Sequence, residues 1–315
     1  MYDRIQPARR PARLRSAAHA VLAATVLTGP ILCGGFASPA LAQEGQAPAP
    51  SASAGQVAIA LAPEGTTQEL TLKDGSTLYG RVAEFDETRV VFIAVSGARI
   101  EVARGDVLSL RIAKGRVVEG RFLRADPNPT RLFFAPTARA LPKGEAYVGV
   151  YEFFLPFVQV GVTNRLSIGG GTPLVFGGGG DRVFWFTPKL TVYDDGRTSA
   201  AVGLFQFGGA GIDEPPGIAY GVVTVGQPDA AFSAGLGYAY AGDSRTGVVM
   251  LGGEKRLSRH IKLLTENWVW KGGYSFFSGG FRFMGESLSA DLGLVLFVDS
   301  GDSFAFPMVN FAYHF

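Results

Sequence analysis

Side chains able to act as acids, bases or nucleophiles are scarce in this sequence of 315 residues, which contains three histidines and one cysteine. His260 and His314 are the histidines beyond the N-terminal segment. Neither has a neighbouring serine together with an acid at the spacing of a catalytic site. Because nucleophilic catalysis needs a base beside the nucleophile, the sequence predicts no catalytic residues and no enzyme.

The spacing of acids, histidines and glycines does not indicate a metal or phosphate site either. The acids at 194–195 and at 299 and 302 do not follow the pattern of a calcium-binding loop. Two histidines without a carboxylate cluster make a poor transition-metal site. The glycine runs at 169–171 and 177–180 lack the Lys-Ser/Thr pair of a phosphate-binding loop. We expect no metal and no cofactor.

The composition indicates a β protein with large apolar surfaces. The chain contains 43 Gly and 24 Phe, its hydrophobic share is 47%, its charged share is 18% and its mean hydropathy is +0.19. Beyond the N-terminus no apolar run reaches the roughly 18 residues of a membrane-spanning helix. These values are compatible with two classes of protein, an all-β globular protein and a membrane β-barrel.

Residues 1–42 are predicted to be a secretory signal peptide. Five arginines precede a short apolar stretch at 20–27, and an Ala-Leu-Ala cleavage sequence occupies 40–42. An N-terminal membrane anchor is the alternative. Cleavage removes Cys33 and lowers the formal net charge from +2 to −2, because five arginines and one aspartate leave. We therefore expect no nucleic-acid partner. Residues 43–65, rich in Ala, Pro and Ser, are predicted to be a flexible linker.

Residues 66–113 are predicted to form a small module of five short strands, with Asp74-Gly75 as a hairpin turn. Leu72-Lys73-Asp74-Gly75, Gly80 and Phe85-Asp86 resemble the first motif of Sm-like, SH3-type small barrels. RNA-binding members of that family have an asparagine after the Phe-Asp pair, where this sequence has Glu87. The resemblance therefore implies a five-stranded barrel that contacts a periplasmic protein partner rather than RNA.

Residues 114–144 are predicted to be a connector. Within it, 116–123 could form one further strand, and two prolines in the sequence Asp126-Pro127-Asn128-Pro129 disfavour regular structure. Leu132-Phe133-Phe134 is an apolar triplet in this otherwise irregular segment, and we expect it to dock on an apolar surface.

Residues 145–315 are predicted to form a transmembrane antiparallel β-barrel of about 12 strands, so that the whole chain is all-β. Turn signals separate segments of membrane-strand length, which are 145–155, 157–163, 166–175, 183–193, 198–207, 218–226, 231–241, 247–257, 261–270, 274–284, 290–298 and 304–315. Apolar residues alternate with small or polar ones in several segments, for example Phe277, Phe281 and Phe283 against Ser278, Gly280 and Arg282. For 261–270 the faces cannot be assigned, because Glu266 shares a face with Leu264, Trp268 and Trp270.

The last strand and the connections favour an outer-membrane barrel. Alternate residues Val309, Phe311, Tyr313 and Phe315 resemble the C-terminal signature of bacterial outer-membrane barrels, and the resemblance implies recognition by the barrel-assembly machinery. Every second connection is short, as periplasmic turns are. The stretches at 128–139 and 161–171 also resemble a group of bacterial outer-membrane β-barrel proteins, a resemblance that carries no activity with it.

Polar residues on the face opposite the apolar one are candidates to line the lumen. They are Glu152, Gln159, Thr187, Lys189, Thr191, Ser278, Arg282, Asp291 and Asn310. Their charges are mixed, so they could pair to fill a narrow barrel or line a small pore.

The resulting hypothesis is a non-enzymatic, porin-like protein in the outer membrane of a Gram-negative cell. It contacts membrane lipid through its outward face and keeps its small module in the periplasm. It would act as a narrow channel or as an anchoring protein. The alternatives are a lipid-modifying barrel enzyme and a secreted all-β binding protein.

Overall fold

The computed structural model describes residues 59, 61–63, 65–174, 183–209, 212–299 and 302–315. The predicted signal peptide and most of the predicted linker lie outside these residues. The chain divides into two compact units, with the division between Ala125 and Asp126. Among the described residues, no helix is long and apolar enough to cross a membrane.

The first unit contains the five-stranded antiparallel sheet that the sequence predicts. Its strands are β1 (Gln68–Leu72), β2 (Thr77–Phe85), β3 (Arg89–Ala94), β4 (Arg99–Ala103) and β5 (Val107–Ile112), in the order β4-β3-β2-β1-β5. Gly75 and Gly97 have positive φ in the β1–β2 and β3–β4 turns, which suits glycine. Apolar side chains from all five strands pack into one core that includes Leu70, Val82, Val90 and Phe92. The resemblance to Sm-like modules stays a prediction.

A two-stranded hairpin follows this sheet, where the sequence predicts one strand. Strand β6 (Gly115–Val118) pairs with β7 (Arg121–Arg124). Glu119 and Gly120 between them have φ of 50° and 70°. Positive φ at both central residues closes a two-residue hairpin, so the prediction of a single strand over 116–123 is wrong.

The second unit is a closed, antiparallel 12-strand barrel, as predicted. Its strands are β8 (Ala146–Tyr151), β9 (Leu155–Gly161), β10 (Leu166–Gly171), β11 (Val183–Phe186), β12 (Lys189–Asp194), β13 (Thr198–Gly209), β14 (Gly217–Gln227), β15 (Ala230–Ala241), β16 (Ser244–Arg256), β17 (Ile261–Trp270), β18 (Tyr274–Met284), β19 (Leu288–Asp299) and β20 (Asp302–His314). β11 and β12 lie between the same neighbours, β10 and β13, and make one interrupted strand at Thr187-Pro188. Pairing of β20 with β8 closes the barrel.

The barrel strands have one buried and one exposed face, because successive side chains of a strand point to opposite sides. Exposed apolar side chains occupy alternate positions, such as Phe277, Phe281 and Phe283 on β18. On β17 the structure resolves the assignment that the sequence leaves open. Lys262, Leu264, Glu266 and Trp270 are buried there, whereas Leu263 and Val269 are exposed.

The first hairpin of the barrel is shorter than its sequence suggests. The predicted first strand runs through Leu155, but the chain turns at 152–154. Glu152 and Phe153 have φ of 50° and 64°, and the amide of Phe154 donates to the carbonyl of Tyr151 at 3.2 Å. Non-glycine residues rarely adopt positive φ, so the sequence carries little signal for this turn.

Candidate functional site

Residues 126–141 lie inside the barrel and fill its lumen. We call this segment the plug. Alternate stretches of it are buried, including Leu132, Phe133, Ala135 and Ala138. The chain reverses at 132–135, where the amide of Leu132 donates to the carbonyl of Ala135 at 2.9 Å. The plug is therefore an irregular loop surrounded by the inner faces of the strands.

Glu266 on β17 binds the tip of the plug through backbone amides. Its Oε2 accepts hydrogen bonds from the N–H groups of Phe133, Phe134 and Ala135 at 3.0, 2.9 and 2.8 Å. Its Oε1 accepts from the indole Nε1 of Trp268 at 2.8 Å. Three adjacent N–H groups that converge on one carboxylate oxygen form an anion-binding nest. The plug supplies the nest and the strand supplies the anion.

Arg282 on β18 binds the same loop through its carbonyls. Its Nη1 donates to the carbonyl oxygens of Asn128 and Arg131 at 2.6 and 3.2 Å, and its Nη2 donates to that of Leu132 at 2.5 Å. Asp291 on β19 holds the guanidinium with two bonds, from Nε at 2.7 Å and from Nη2 at 2.9 Å. This bidentate pair fixes the direction of the remaining donors.

A second ionic cluster holds the beginning of the plug. Lys262 on β17 donates to Asp126 and to Glu254 on β16, both at 2.7 Å. Burial raises the pKa of the Asp126 carboxyl, but the charges of Lys262 and Arg282 outweigh this effect and bring it below its usual range. Glu254 also pairs with Arg139 near the end of the plug. Both ends of the loop are thus tied to adjacent strands.

Lys189 on β12 binds three more plug carbonyls. Its Nζ donates to the backbone oxygens of Thr130, Thr137 and Arg139 at 3.2, 2.8 and 2.8 Å. An ammonium has three donors and no acceptor, so these contacts saturate it. Thr191 continues the pattern, since its hydroxyl donates to the carbonyl of Ala138 at 2.9 Å.

Arg131, like Asp126 and Arg139, is a charged plug residue that contacts the wall through its side chain. Its Nη2 donates to Oε1 of Gln159 on β9 at 2.9 Å. Its guanidinium also lies 5.0 Å from the ring centroid of Tyr147 and 4.5 Å from that of Phe157. Such cation–π geometry stabilises a desolvated guanidinium.

Apolar contacts complete the docking of the tip. Leu132 and Phe133 pack with Leu264, Val295 and Met308 on three strands, which confirms the expectation that this triplet docks on an apolar surface. Gly252 on β16 leaves the space for Leu132, because a Cβ at that position would overlap the leucine side chain.

The structure places the predicted lumen residues in three groups. Residues that contact the plug or its direct partners are Gln159, Lys189, Thr191, Arg282 and Asp291. Ser278 and Asn310 are buried, and the Ser278 hydroxyl donates to the backbone oxygen of Glu266 at 2.6 Å. Glu152 lies in the β8–β9 turn and Thr187 at the interruption between β11 and β12; both are partly exposed.

Sequence reasoning missed Glu254, Lys262 and Glu266. Their spacing carries a signal, because 262 and 266 are separated by an even number and so share one strand face. The signal is obscured by Leu264 and Trp270 on that face. The inner face mixes charged and apolar residues because it contacts a peptide loop.

The histidines lie away from the plug contacts. His314 Nε2 lies 3.1 Å from Oε2 of Glu145, and His260 lies in the β16–β17 turn. Within the described ranges, no group of three or more His, Cys, Asp or Glu side chains is arranged to hold a metal ion.

No protein-family model matches the chain, and no curated protein sequence matches it. Solved structures with a similar fold include a "KdgM porin in complex with disordered oligogalacturonate", with 6% identity, a TM-score of 0.43 and coverage of 54% of this chain and 98% of that one. The NanC porin has 7% identity, a TM-score of 0.39 and coverage of 53% and 97%. The outer membrane channel DcaP of Acinetobacter baumannii has 12% identity, a TM-score of 0.30 and coverage of 79% and 94%. Identities and scores this low do not assign the chain to any of these families.

Proposed function

We propose that the protein is a non-enzymatic outer-membrane barrel whose lumen is closed by the plug, and that it anchors the small β module in the periplasm. The outward apolar side chains at alternate strand positions support a lipid-facing wall. The C-terminal residues Tyr313 and Phe315 support assembly by the barrel-assembly machinery.

One observation carries the choice of an anchor over a narrow channel. The charged side chains that would line a pore bind the backbone of the plug instead: Glu266 accepts its amides, and Arg282 and Lys189 donate to its carbonyls. A channel needs these groups to face water or a permeating solute. The anchored module would then be free to contact a periplasmic protein through residues 66–113.

Planar-bilayer recording tests the closed lumen. The intact chain is expected to insert without steady current. A variant in which residues 131–136 are replaced by two glycines loses the tip of the plug and is expected to conduct. The control carries the same shortening at 45–50, in the predicted linker, and is expected to stay silent. Equal steady current from the intact chain and the tip-shortened variant would refute closure. Fractionation of the mature protein into the soluble periplasm would refute the membrane location.

A further inference from the structure

The barrel wall binds the tip of the plug, residues 131–136, through its main chain. Oε2 of Glu266 accepts hydrogen bonds from the amides of 133–135 at 2.8 to 3.0 Å. Arg282 donates to the carbonyls of 131 and 132 at 3.2 and 2.5 Å. Every residue other than proline carries an amide hydrogen and a carbonyl oxygen. These contacts therefore do not depend on which side chains the tip carries.

Main-chain contacts continue on both sides of the tip. Nζ of Lys189 donates to the carbonyls of 130, 137 and 139 at 3.2, 2.8 and 2.8 Å. At Ala138 the hydroxyl of Thr191 donates to the carbonyl and the hydroxyl of Thr224 accepts from the amide, both at 2.9 Å. Donors and acceptors from several strands thus match the amides and carbonyls of one peptide loop.

The two charged side chains at the tip are also held by the wall itself. Glu266 and Arg282 are both fully buried. Oε1 of Glu266 accepts from the indole of Trp268 at 2.8 Å, and Asp291 binds the guanidinium of Arg282 with two hydrogen bonds. Because the wall supplies these supports, the binding groups are oriented in advance, which lowers the cost of binding a ligand.

One apolar pocket adds a requirement on the side chains. Leu132 and Phe133 pack with the buried side chains of Leu264, Val295 and Met308. The chain reverses at this point, because the amide of Leu132 donates to the carbonyl of Ala135 at 2.9 Å. A loop that fits the wall therefore needs a tight turn that begins with two large apolar residues.

The ends of the plug are held by contacts that do not involve the tip. Asp126 pairs with Lys262, and Arg139 pairs with Glu254. Both ion pairs use side chains outside 131–136. The tip can therefore leave its place while the two ends of the plug stay attached to the wall.

We propose that the wall around the tip is a peptide-binding site, which the tip occupies in the intact chain and which takes a turn-forming peptide of another molecule when the tip leaves. Its ligand is a peptide loop with two adjacent large apolar residues at the turn. Glu266 and Arg282 carry opposite charges, which suits the amides and carbonyls of a peptide better than a solute of one charge. This inference rests on the proposed closure of the lumen by the plug.

Binding of a synthetic peptide to the tip-shortened full chain tests the site. The tethered tip competes at an effective concentration on the order of millimolar, so the variant in which two glycines replace 131–136 is used. The probe is the amidated peptide 130–137 with an N-terminal fluorescein. In phosphatidylcholine vesicles we expect a saturable rise in its anisotropy, reversed by unlabelled peptide. Saturable block of the current through the same variant should accompany it.

Two altered peptides distinguish main-chain from side-chain recognition. N-methylation at Phe134 and Ala135 keeps every side chain but removes two of the amide donors to Glu266, and it should weaken binding at least tenfold. Replacement of Thr130, Arg131 and Thr137 by alanine keeps the amides and the apolar pair, and it should weaken binding less than fivefold. Equal or stronger binding of the methylated peptide would overturn the proposal.

A pair of wall variants shows whether the peptide occupies the place of the tip. In the tip-shortened chain, Glu266→Gln should weaken binding of the unmethylated peptide at least tenfold. It should change binding of the methylated peptide much less, because the two changes remove the same contact. Thr265→Val is the matched control, since Thr265 is exposed on the opposite face of β17, and it should leave both affinities unchanged.

The two readouts separate failure of the site from failure of closure. Equal current from the intact and tip-shortened chains would refute closure, whereas anisotropy reports on peptide binding without needing any current. In barrels shown to be folded by heat-modifiable gel migration, the peptide site would be overturned by a lack of saturable binding. Equal effects of Glu266→Gln and Thr265→Val would overturn it as well.

Discussion

Replacement of Glu266 by glutamine should release the tip of the plug without changing the shape of the residue. The carboxylate accepts three backbone amides at one oxygen and the Trp268 indole at the other. A glutamine has one acceptor oxygen. It can face the three amides or the indole, and its NH₂ group then opposes the donors on the other side.

The cost is calculated for the more favourable orientation of the glutamine side chain, in which its amide oxygen faces the plug. Three hydrogen bonds change from charge-assisted to neutral, which costs about 1 kcal/mol each, and the indole of Trp268 loses its acceptor at a further cost of about 1 kcal/mol. Because glutamine is uncharged, the desolvation penalty of the buried carboxylate is no longer incurred, and this offsets part of the loss. A net loss of about 3 kcal/mol corresponds to a roughly hundredfold rise in the population of the undocked tip.

Hydrogen–deuterium exchange of the intact chain measures that population. Exchange of peptides covering 131–137 should accelerate by roughly a hundredfold in Glu266→Gln, because protection of a local segment reports its opening free energy. Thr265→Val is the matched control. Thr265 is the neighbouring residue on the outer face of β17, where its hydroxyl donates to the carbonyl of Ser278 at 2.9 Å. Thr265→Val should leave the exchange rate of the peptides covering 131–137 unchanged.

Two results would refute this account of the tip. One is unchanged exchange at 131–137 in Glu266→Gln, with the barrel shown to be folded by its gel migration. That result would mean that the carboxylate does not hold the loop. The other is equal acceleration in Thr265→Val, which would mean that general loosening of β17, rather than the lost acceptor, frees the plug.

Three further changes have definite outcomes. Arg282→Met leaves buried Asp291 without its partner and should lower barrel stability to urea by about 3–5 kcal/mol; adding Asp291→Leu should recover part of the loss. Gly252→Val places side-chain atoms where Leu132 packs, and should cost about 1–3 kcal/mol of plug docking, seen as faster exchange at 131–137. Glu69→Gln weakens ion pairs with Arg111 of the small module at 2.7 Å and with Arg124 on β7 at 3.1 Å. Because one partner is half exposed, it should cost only about 1 kcal/mol, measured as faster proteolysis at 65–125 in the full chain.

The strands were predictable from the sequence because apolar residues recur at every second position wherever one face of a strand contacts an apolar medium. Phe277, Phe281 and Phe283 show this pattern, and their exposure follows it. The hairpin at Glu152 and Phe153 was not predictable, because its positive φ values are imposed by the pairing of β20 with both β8 and the turn itself.

The plug could be predicted only in part, for a different reason. Its apolar triplet indicates that it docks, but Glu266 and Arg282, which bind its tip, are more than a hundred residues away in sequence. The strands bind its backbone, and a backbone carries no residue-type signal. Glu266 therefore has no oppositely charged side chain to reveal it, whereas Arg282 pairs with Asp291 on β19 and with Asp126 in the plug.

The polar contacts and the apolar contacts of the plug have different roles. Withdrawal of the loop would admit water, and water would satisfy Glu266, Arg282 and Lys189, so each of these charge-assisted contacts contributes about 1.5–3 kcal/mol net rather than its full strength. Leu132 and Phe133 have no such replacement, and their burial contributes about 1.5–3 kcal/mol each. The charged side chains therefore fix which amides and carbonyls meet the wall, and the two apolar side chains at the tip add about 3–6 kcal/mol to the free energy that keeps the lumen filled.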